Sequence, residues 1–325
     1  MRAAAGLGLA LFGLLAGRAA IEPAAAQEWP QRPVRIVVSF AAGGNSDILA
    51  RLAAQRLSEA CGQQFVVENR PGASGAIAAE TVARAPADGY TLLMGNVPVL
   101  AITPALGKTP YDPVKDFAPI SAIGTNPLVL VTHPSVPAGS LAELVDFVRA
   151  RPKELTYVSS GTGSIVHLAM VMFLQRARLE MTPVSYKGGA APMTDVIAGH
   201  VKTYFSTVSV AIPHKSSGAI RLLAVTSEKR LPQLPDVPTV IESGFPGFRI
   251  LTWNGLLAPA GTPRPIIDRA AGEIARAVKD PKMAELLAGD GFAPLGNSPE
   301  EFAAMIAADI AFWGEAVRVA GVSER

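Results

Sequence analysis

One cysteine, Cys61, is the whole thiol content of this chain. It closes no internal disulfide and builds no zinc or iron–sulfur site. At the end of an apolar helical stripe it reads as a small core residue. Charge is scarce as well. Asp, Glu, Lys and Arg make up 17% of the sequence, nearly cancel at a net +2, and form no basic block longer than two residues. Nucleic acid therefore finds no electrostatic footprint here. The four histidines, His133, His167, His200 and His214, are scattered. None stands at H-E-x-x-H spacing, so neither a metal site nor a bound cofactor is expected. The nucleophile elbow G-x-S-x-G, the phosphate loop G-x-x-x-x-G-K-[ST] and the dinucleotide fingerprint G-x-G-x-x-G are absent from the sequence.

What the chain has is apolar surface. Hydrophobic residues are 49% of the total, which sets it apart from disordered chains, and 325 residues are enough for two domains. "MRAAAGLGLALFGLLAG" carries one early arginine and then an uncharged apolar run, followed by small residues at Ala24 and Ala26. That is the order of a secretory leader over residues 1–26, cut after Ala26. A membrane anchor is the alternative, but the run is short of the roughly 20 residues a spanning helix needs. No later segment is read as a spanning helix. The mature protein is expected to be soluble and outside the cytoplasm.

The pattern after the leader is regular. "VRIVVSF" is a β-branched run, followed by Gly43-Gly44 and a helix from Ser46 to Ala60. In that helix Ile48, Leu49, Leu52, Ala53 and Leu57 make one apolar stripe. "QFVVE", the helix "AIAAETVARA" and the strand "YTLLMGN" come next. Strand, helix, strand, helix, strand predicts a parallel sheet covered on both faces. A proline-rich connection, "TPALGKTPYDPVKDFAPI", leads to a second βα series that runs from "PLVLVTH" to "AIRLLAVTS". One more strand, "ILTWNGLLAPAGTP", precedes three helices, near Pro265–Lys279, Pro281–Ala288 and Pro299–Val319. The fold class is α/β with two domains, whose glycine turns at strand ends face each other across a cleft.

Two turns draw attention. In "SFAAGGNSD", Gly43 and Gly44 allow close backbone approach, and Asn45 or Ser46 is placed to cap the helix. Free N–H groups and the helix dipole favour an anion there. Asp47 in the first turn opposes a multiply charged phosphate, so a carboxylate or a neutral polar group fits better; an ordinary capped helix is the plainer reading. "SSGTGSIVHLA" repeats the arrangement, with Gly161 and Gly163 exposing backbone and Thr162 and Ser164 offering hydroxyls. Ser164 and His167 lie one helical turn apart, the spacing of a nucleophile and base, but a helix cap and an imidazole packed under the loop are the readings favoured over catalysis. In "NRPGASG", Arg70 either reaches an anion, stays solvated or pairs with Glu68.

These segments resemble a known family. The run from "VRIVVSFAAGGNSD" to "YTLLMGN" is similar to the N-terminal signature of the Bug, or TctC-like, solute-binding proteins, the extracytoplasmic receptors of tripartite tricarboxylate transporters. "YDPVKDFAPI", "YKGGAAPMTDVIAGHV", "LLAVTSEKRLPQLPDVPTVIESGFPGF" and "LLAPAGTP" continue the resemblance in order. It implies a two-domain periplasmic-binding-protein fold of type II with two crossover strands and the ligand between domains. One domain is expected over 27–127 plus 252–325 and the other over 128–251, with the crossovers near Ile123–Leu130 and Ile250–Leu257.

The resemblance also implies a ligand set. Phe40, Ala41, Ala42, Gly43, Gly44, Asn45 and Asp47 match one carboxylate-gripping loop, and Ser160, Gly161, Thr162, Gly163 and Ser164, with His167 behind, match the other. Asn96 matches a further cleft position. Tyr186, Lys187, Gly188, Ser206 and Thr207 end strands of the far wall. The chain departs from many relatives in having Ala41-Ala42 in place of prolines, and hydroxyls at 206–207 in place of an acid or amide. The expected activity is capture of a small organic acid for membrane permease subunits. A sensor feeding a membrane kinase and a secreted hydrolase using Ser164 and His167 are the alternatives from other classes.

Overall fold

Short β-branched runs become the strands and the stripes between them the helices that cover them. The computed structural model describes residues 29–161, 164–187, 190–289 and 291–321, so the expected leader lies outside the described residues. The first series is β1 (Val34–Val38), α1 (Asn45–Cys61), β2 (Phe65–Asn69), α2 (Ala76–Ala83) and β3 (Thr91–Asn96). A π-helical turn over Pro98–Ile102 and the short α3 (Thr103–Leu106) lead into β4 (Phe117–Thr132). Then come α4 (Leu141–Ala150), β5 (Thr156–Ser159), α5 (Ile165–Ala177), β6 (Thr182–Ser185), α6 (Ala191–Ile197), β7 (Thr203–Thr207), α7 (Val208–Ala211) and β8 (Arg221–Val225). The chain closes with β9 (Leu251–Pro259), α8 (Arg264–Ala277), α9 (Pro281–Gly289), β10 (Ala293–Pro294) and α10 (Pro299–Ala320).

The strands run in the order β2-β1-β3-β9-β4-β7-β5-β6, with β8 and β10 also on β4. The parallel sheet expected from the βα order holds only in part. β2, β1 and β3 are mutually parallel, as are β6, β5 and β7, but β9 enters antiparallel between β3 and β4, and β4 is antiparallel to β7 and β8. The physical reason is that β4 and β9 carry the chain out to the second series and back. β4 changes partners part-way: up to Pro127 it pairs with β9, and from Leu128 with β7 and β8.

Burial follows strand alternation. Val34, Ile36 and Val38 of β1 face the core formed with α1 and α8, while Val37 faces the opposite core with α2 and the π-helical turn. In the second half Phe173, Phe205 and Phe248 pack ring against ring at centroid distances of 5.9–6.2 Å. α10 begins with a capping box between Ser298 and Glu301 and packs against β4, the π-helical turn and α5, so it touches both halves.

Candidate functional site

The turns after β1 and β5 meet at one cavity of about 80 Å3. Phe40, Gly44, Asn45 and Ser46 line it from the first half. Ser160, Ser164, Ile165 and Val166 line it from the second, with Tyr204, Thr207 and Val210 beside them and Thr252 of β9 completing the lining. Among the described residues no charged side chain reaches this cavity.

In the first turn Gly43 takes φ +78, a left-handed conformation that suits glycine. Asp47 is buried and serves its own turn. Its Oδ2 accepts the Gly43 N–H and Arg51 Nε, both at 3.0 Å, and its Oδ1 accepts Asn69 Nδ2 at 3.0 Å. Burial pushes this carboxyl up, but the hydrogen bonds from Arg51, Gly43 and Asn69 outweigh it and hold the pKa below the ordinary aspartate value. Asn69 Nδ2 also donates to the Phe40 carbonyl at 2.9 Å, which ties β2 to the same turn.

The expected cap by Asn45 or Ser46 is overturned. Gly44 is the N-cap of α1 and no side chain caps it. Both candidates are drawn elsewhere by tertiary partners. Asn45 Oδ1 accepts Asn126 Nδ2 and Ser209 Oγ, each at 2.9 Å, and Ser46 Oγ donates to Asn254 Oδ1 at 2.5 Å. The backbone N–H groups of Asn45, Ser46 and Asp47 meet no acceptor among the described residues, the state in which a helix start receives an anion.

The second turn is capped. Ser164 Oγ accepts the His167 N–H at 3.3 Å and donates to the Gly161 carbonyl at 2.7 Å. The hydroxyl therefore points to backbone and not to the imidazole. The His167 ring lies 6.1 Å from the Tyr157 ring, and burial lowers its pKa, which favours the neutral form. No nucleophile–base pair forms, which removes the geometric basis of the hydrolase reading. Gly161 has φ +97. Thr162, Gly163 and Gly188 lie outside the described residues.

The other expected ligands are dispersed. Asn96 is buried behind Ser46: its Nδ2 donates to Ser46 Oγ at 3.0 Å and its Oδ1 accepts the Val99 N–H at 3.1 Å. Ala41 and Ala42 stand in the turn beside the lining residues, and Lys187 is exposed. Tyr186 donates to Asp195 Oδ2 at 2.6 Å, and burial together with that bond pushes its pKa up to about 12. Ser206 is fully buried and donates to the Thr207 carbonyl at 3.0 Å. Arg70 pairs with Glu68 at 2.5 Å, the structural one of its three readings.

Sequence reasoning missed Tyr204, which lines the cavity two residues before Ser206 on the same face of β7. Burial raises its pKa to about 12, against hydrogen bonds with Ser206 and Ser160. A tyrosine at i−2 from a hydroxyl already assigned to the wall was the available signal. Val210 carried none, because α7 is too short to show a period. The two halves touch around the cavity: a Cβ on Gly43 would lie 3.3 Å from the Ala190 Cβ, and one on Gly161 3.7 Å from Ser74 Oγ.

Comparison with known proteins gives one answer. The chain is 34% identical to protein BugT of Bordetella pertussis over 316 residues, which cover 96% of this chain and 97% of that protein. The solved structure of R. palustris Rpa4515 with adipate is 39% identical, has a TM-score of 0.88 and covers 91% of this chain and 99% of its own. MatC from Rhodopseudomonas palustris with bound malate is 30% identical at a TM-score of 0.85, covering 89% and 100%. The mixed α/β fold is that of periplasmic solute-binding proteins, and these neighbours are binding receptors and not enzymes. Residues 49–322 match the family described as tripartite tricarboxylate transporter family receptor, TctC, and the chain belongs to that family of Bug/TctC-like receptors.

Proposed function

We propose that the protein captures a small carboxylated organic acid between its two halves and delivers it to the membrane permease of a tripartite transporter. The observation that carries this reading is the convergence of two helix starts, those of α1 and α5, on one uncharged cavity. Each helix start carries about half a positive charge, and each leaves N–H groups without acceptors among the described residues: those of Asn45 and Ser46 on one side and of Ile165 and Val166 on the other. The hydroxyls of Ser160, Tyr204 and Thr207 add donors. A buried carboxylate needs such donors to offset its desolvation. The adipate and malate held by the two structural neighbours are of this chemical class.

On this reading residues 27–127 with 252–325 form one domain and 128–251 the other, and closure between them is the signal the permease reads. Residues 1–26 direct export and the mature chain works in the periplasm. No helix among the described residues is long and apolar enough to cross a membrane.

Calorimetry and thermal unfolding against adipate, malate and further small acids, with a neutral sugar as control, test the proposal. A ligand at 100 times its Kd is expected to stabilise the chain by about 2.7 kcal/mol. Stabilisation by a neutral solute with none by any acid overturns the carboxylate reading.

A further inference from the structure

The crossover strands have a second face. Alternation on β9 turns Thr252 to the cavity between the halves, while Leu251 and Trp253 line a groove of about 580 Å3 on the other side. β4 divides in the same way: Asn126 reaches Asn45 beside the cavity, and Thr125 lines the groove. The groove is of small-molecule size, the usual range being roughly 300–1,000 Å3. Its walls come from both halves, with Met172 and Phe248 from the second and Met305 and Trp313 from α10 of the first. Aromatic faces and thioethers of this kind suit a planar apolar body.

We propose that this groove is a separate binding site for an aromatic amine, with Asp309 as its counter-charge. Asp309 is the one acid that lines it among the described residues. The carboxylate accepts a hydrogen bond from the neutral Trp253 Nε1. The two cations of the lining are already committed. Arg249 pairs with Glu228 at 3.2 Å, and Arg176 donates to the Pro246 carbonyl at 3.2 Å and stands 5.6 Å from the Phe248 ring centroid. Burial raises the pKa of Asp309, opposed by the Trp253 hydrogen bond and by Arg249, so its negative charge is under-compensated. An ammonium group bonded to Asp309 supplies that compensation.

The site has its own reporter. Of three tryptophans, Trp253 and Trp313 line the groove, and Trp29 packs apart from it against Phe65 and Tyr90. Phenethylamine titrated into the wild-type protein is expected to change tryptophan fluorescence saturably. The neutral 2-phenylethanol and the acidic 3-phenylpropionate are each expected to bind at least about tenfold more weakly at this site. Asp309→Asn is expected to cost the amine about tenfold, and Ala308→Phe, at an exposed position on the groove wall, to abolish the change. The proposal is overturned if the amine gives no saturable change up to about 10 mM, if the alcohol or the acid binds the wild type as well as the amine does, or if folded Asp309→Asn binds the amine unaltered. The comparison of the three ligands on wild-type protein holds even if a variant fails to fold.

Discussion

After β1 the chain turns through Gly43 into α1, and a buried carboxylate, Asp47, holds the turn. After β5 it turns through Gly161 into α5, and a hydroxyl, Ser164, does the same work. The carboxylate gathers donors from Gly43, Arg51 and Asn69, so the first turn is tied both to its own helix and to β2. The hydroxyl takes one N–H of its own helix and donates to the Gly161 carbonyl, so its hydrogen bonds stay within the turn and its helix, and Tyr204 of β7 reaches the turn through Ser160. The electrostatics differ in the opposite sense. α1 has Asp47 in its first turn, which offsets part of its dipole, whereas α5 has no acid there. The first turn supplies a fixed geometry of free amides, and the second supplies the less opposed positive end.

The largest effect expected from breaking this pair is at Asp47. Asp47→Ala strands the Gly43 N–H and Asn69 and frees Arg51, and the loss of charged hydrogen bonds in a buried position is expected to cost about 2–3 kcal/mol in urea unfolding. Its pH dependence has a definite sign. The folded pKa lies below the ordinary aspartate value, so the stabilisation is complete above an unfolded value of about 3.9 and is lost as pH falls through the folded one. The gap in stability between wild type and Asp47→Asn is therefore expected to be widest near neutrality and to close in acid. A gap that widens on acidification would refute the role given to this carboxylate.

The contrast between the turns also shows where sequence reasoning runs out. β1, Gly43-Gly44 and the α1 stripe were legible because each is a local pattern, of period two or 3.6. The cap was not. Asn45 and Ser46 have the right chemistry for it, but their partners Ser209 and Asn254 lie 164 and 208 residues away, and tertiary hydrogen bonds override the local preference. Asn96 is a similar case: its place after β3 was legible, its service to Ser46 and Val99 was not. The π-helical turn over Pro98–Ile102 is buried on every side and so shows no amphipathic period. The family resemblance implied two crossover strands, but the insertion of β9 between β3 and β4 depends on long-range pairing that no local signal shows.

Next in size is the glycine pair. Alanine at Gly43 or Gly161 must hold a positive φ, at about 1 kcal/mol each. Their surroundings differ. The added methyl at 43 meets the Ala190 Cβ of the other half at 3.3 Å, closer than ordinary contact, while that at 161 meets Ser74 Oγ at 3.7 Å. Gly43→Ala is therefore expected to weaken binding of an organic acid by about fivefold or more, and Gly161→Ala by clearly less at similar stability. Equal losses of affinity would show that contact between the halves at Ala190 has no part in closure.

The smallest change is at the hydroxyl anchor. Ser164→Ala leaves the His167 N–H without its cap, for which about 1 kcal/mol is the usual cost, and Ser164→Gly is expected to lose only a few tenths. Neither variant adds or removes charge, so the positive end of α5 persists in both. Denaturation midpoints should fall in the order serine, glycine, alanine, and every step should be smaller than that of Asp47→Ala. If Ser164→Ala proved the more damaging of the two, the second turn and not the first would be the rigid side of the cavity, since a cap at the surface of its own helix cannot by itself account for a loss above about 2 kcal/mol.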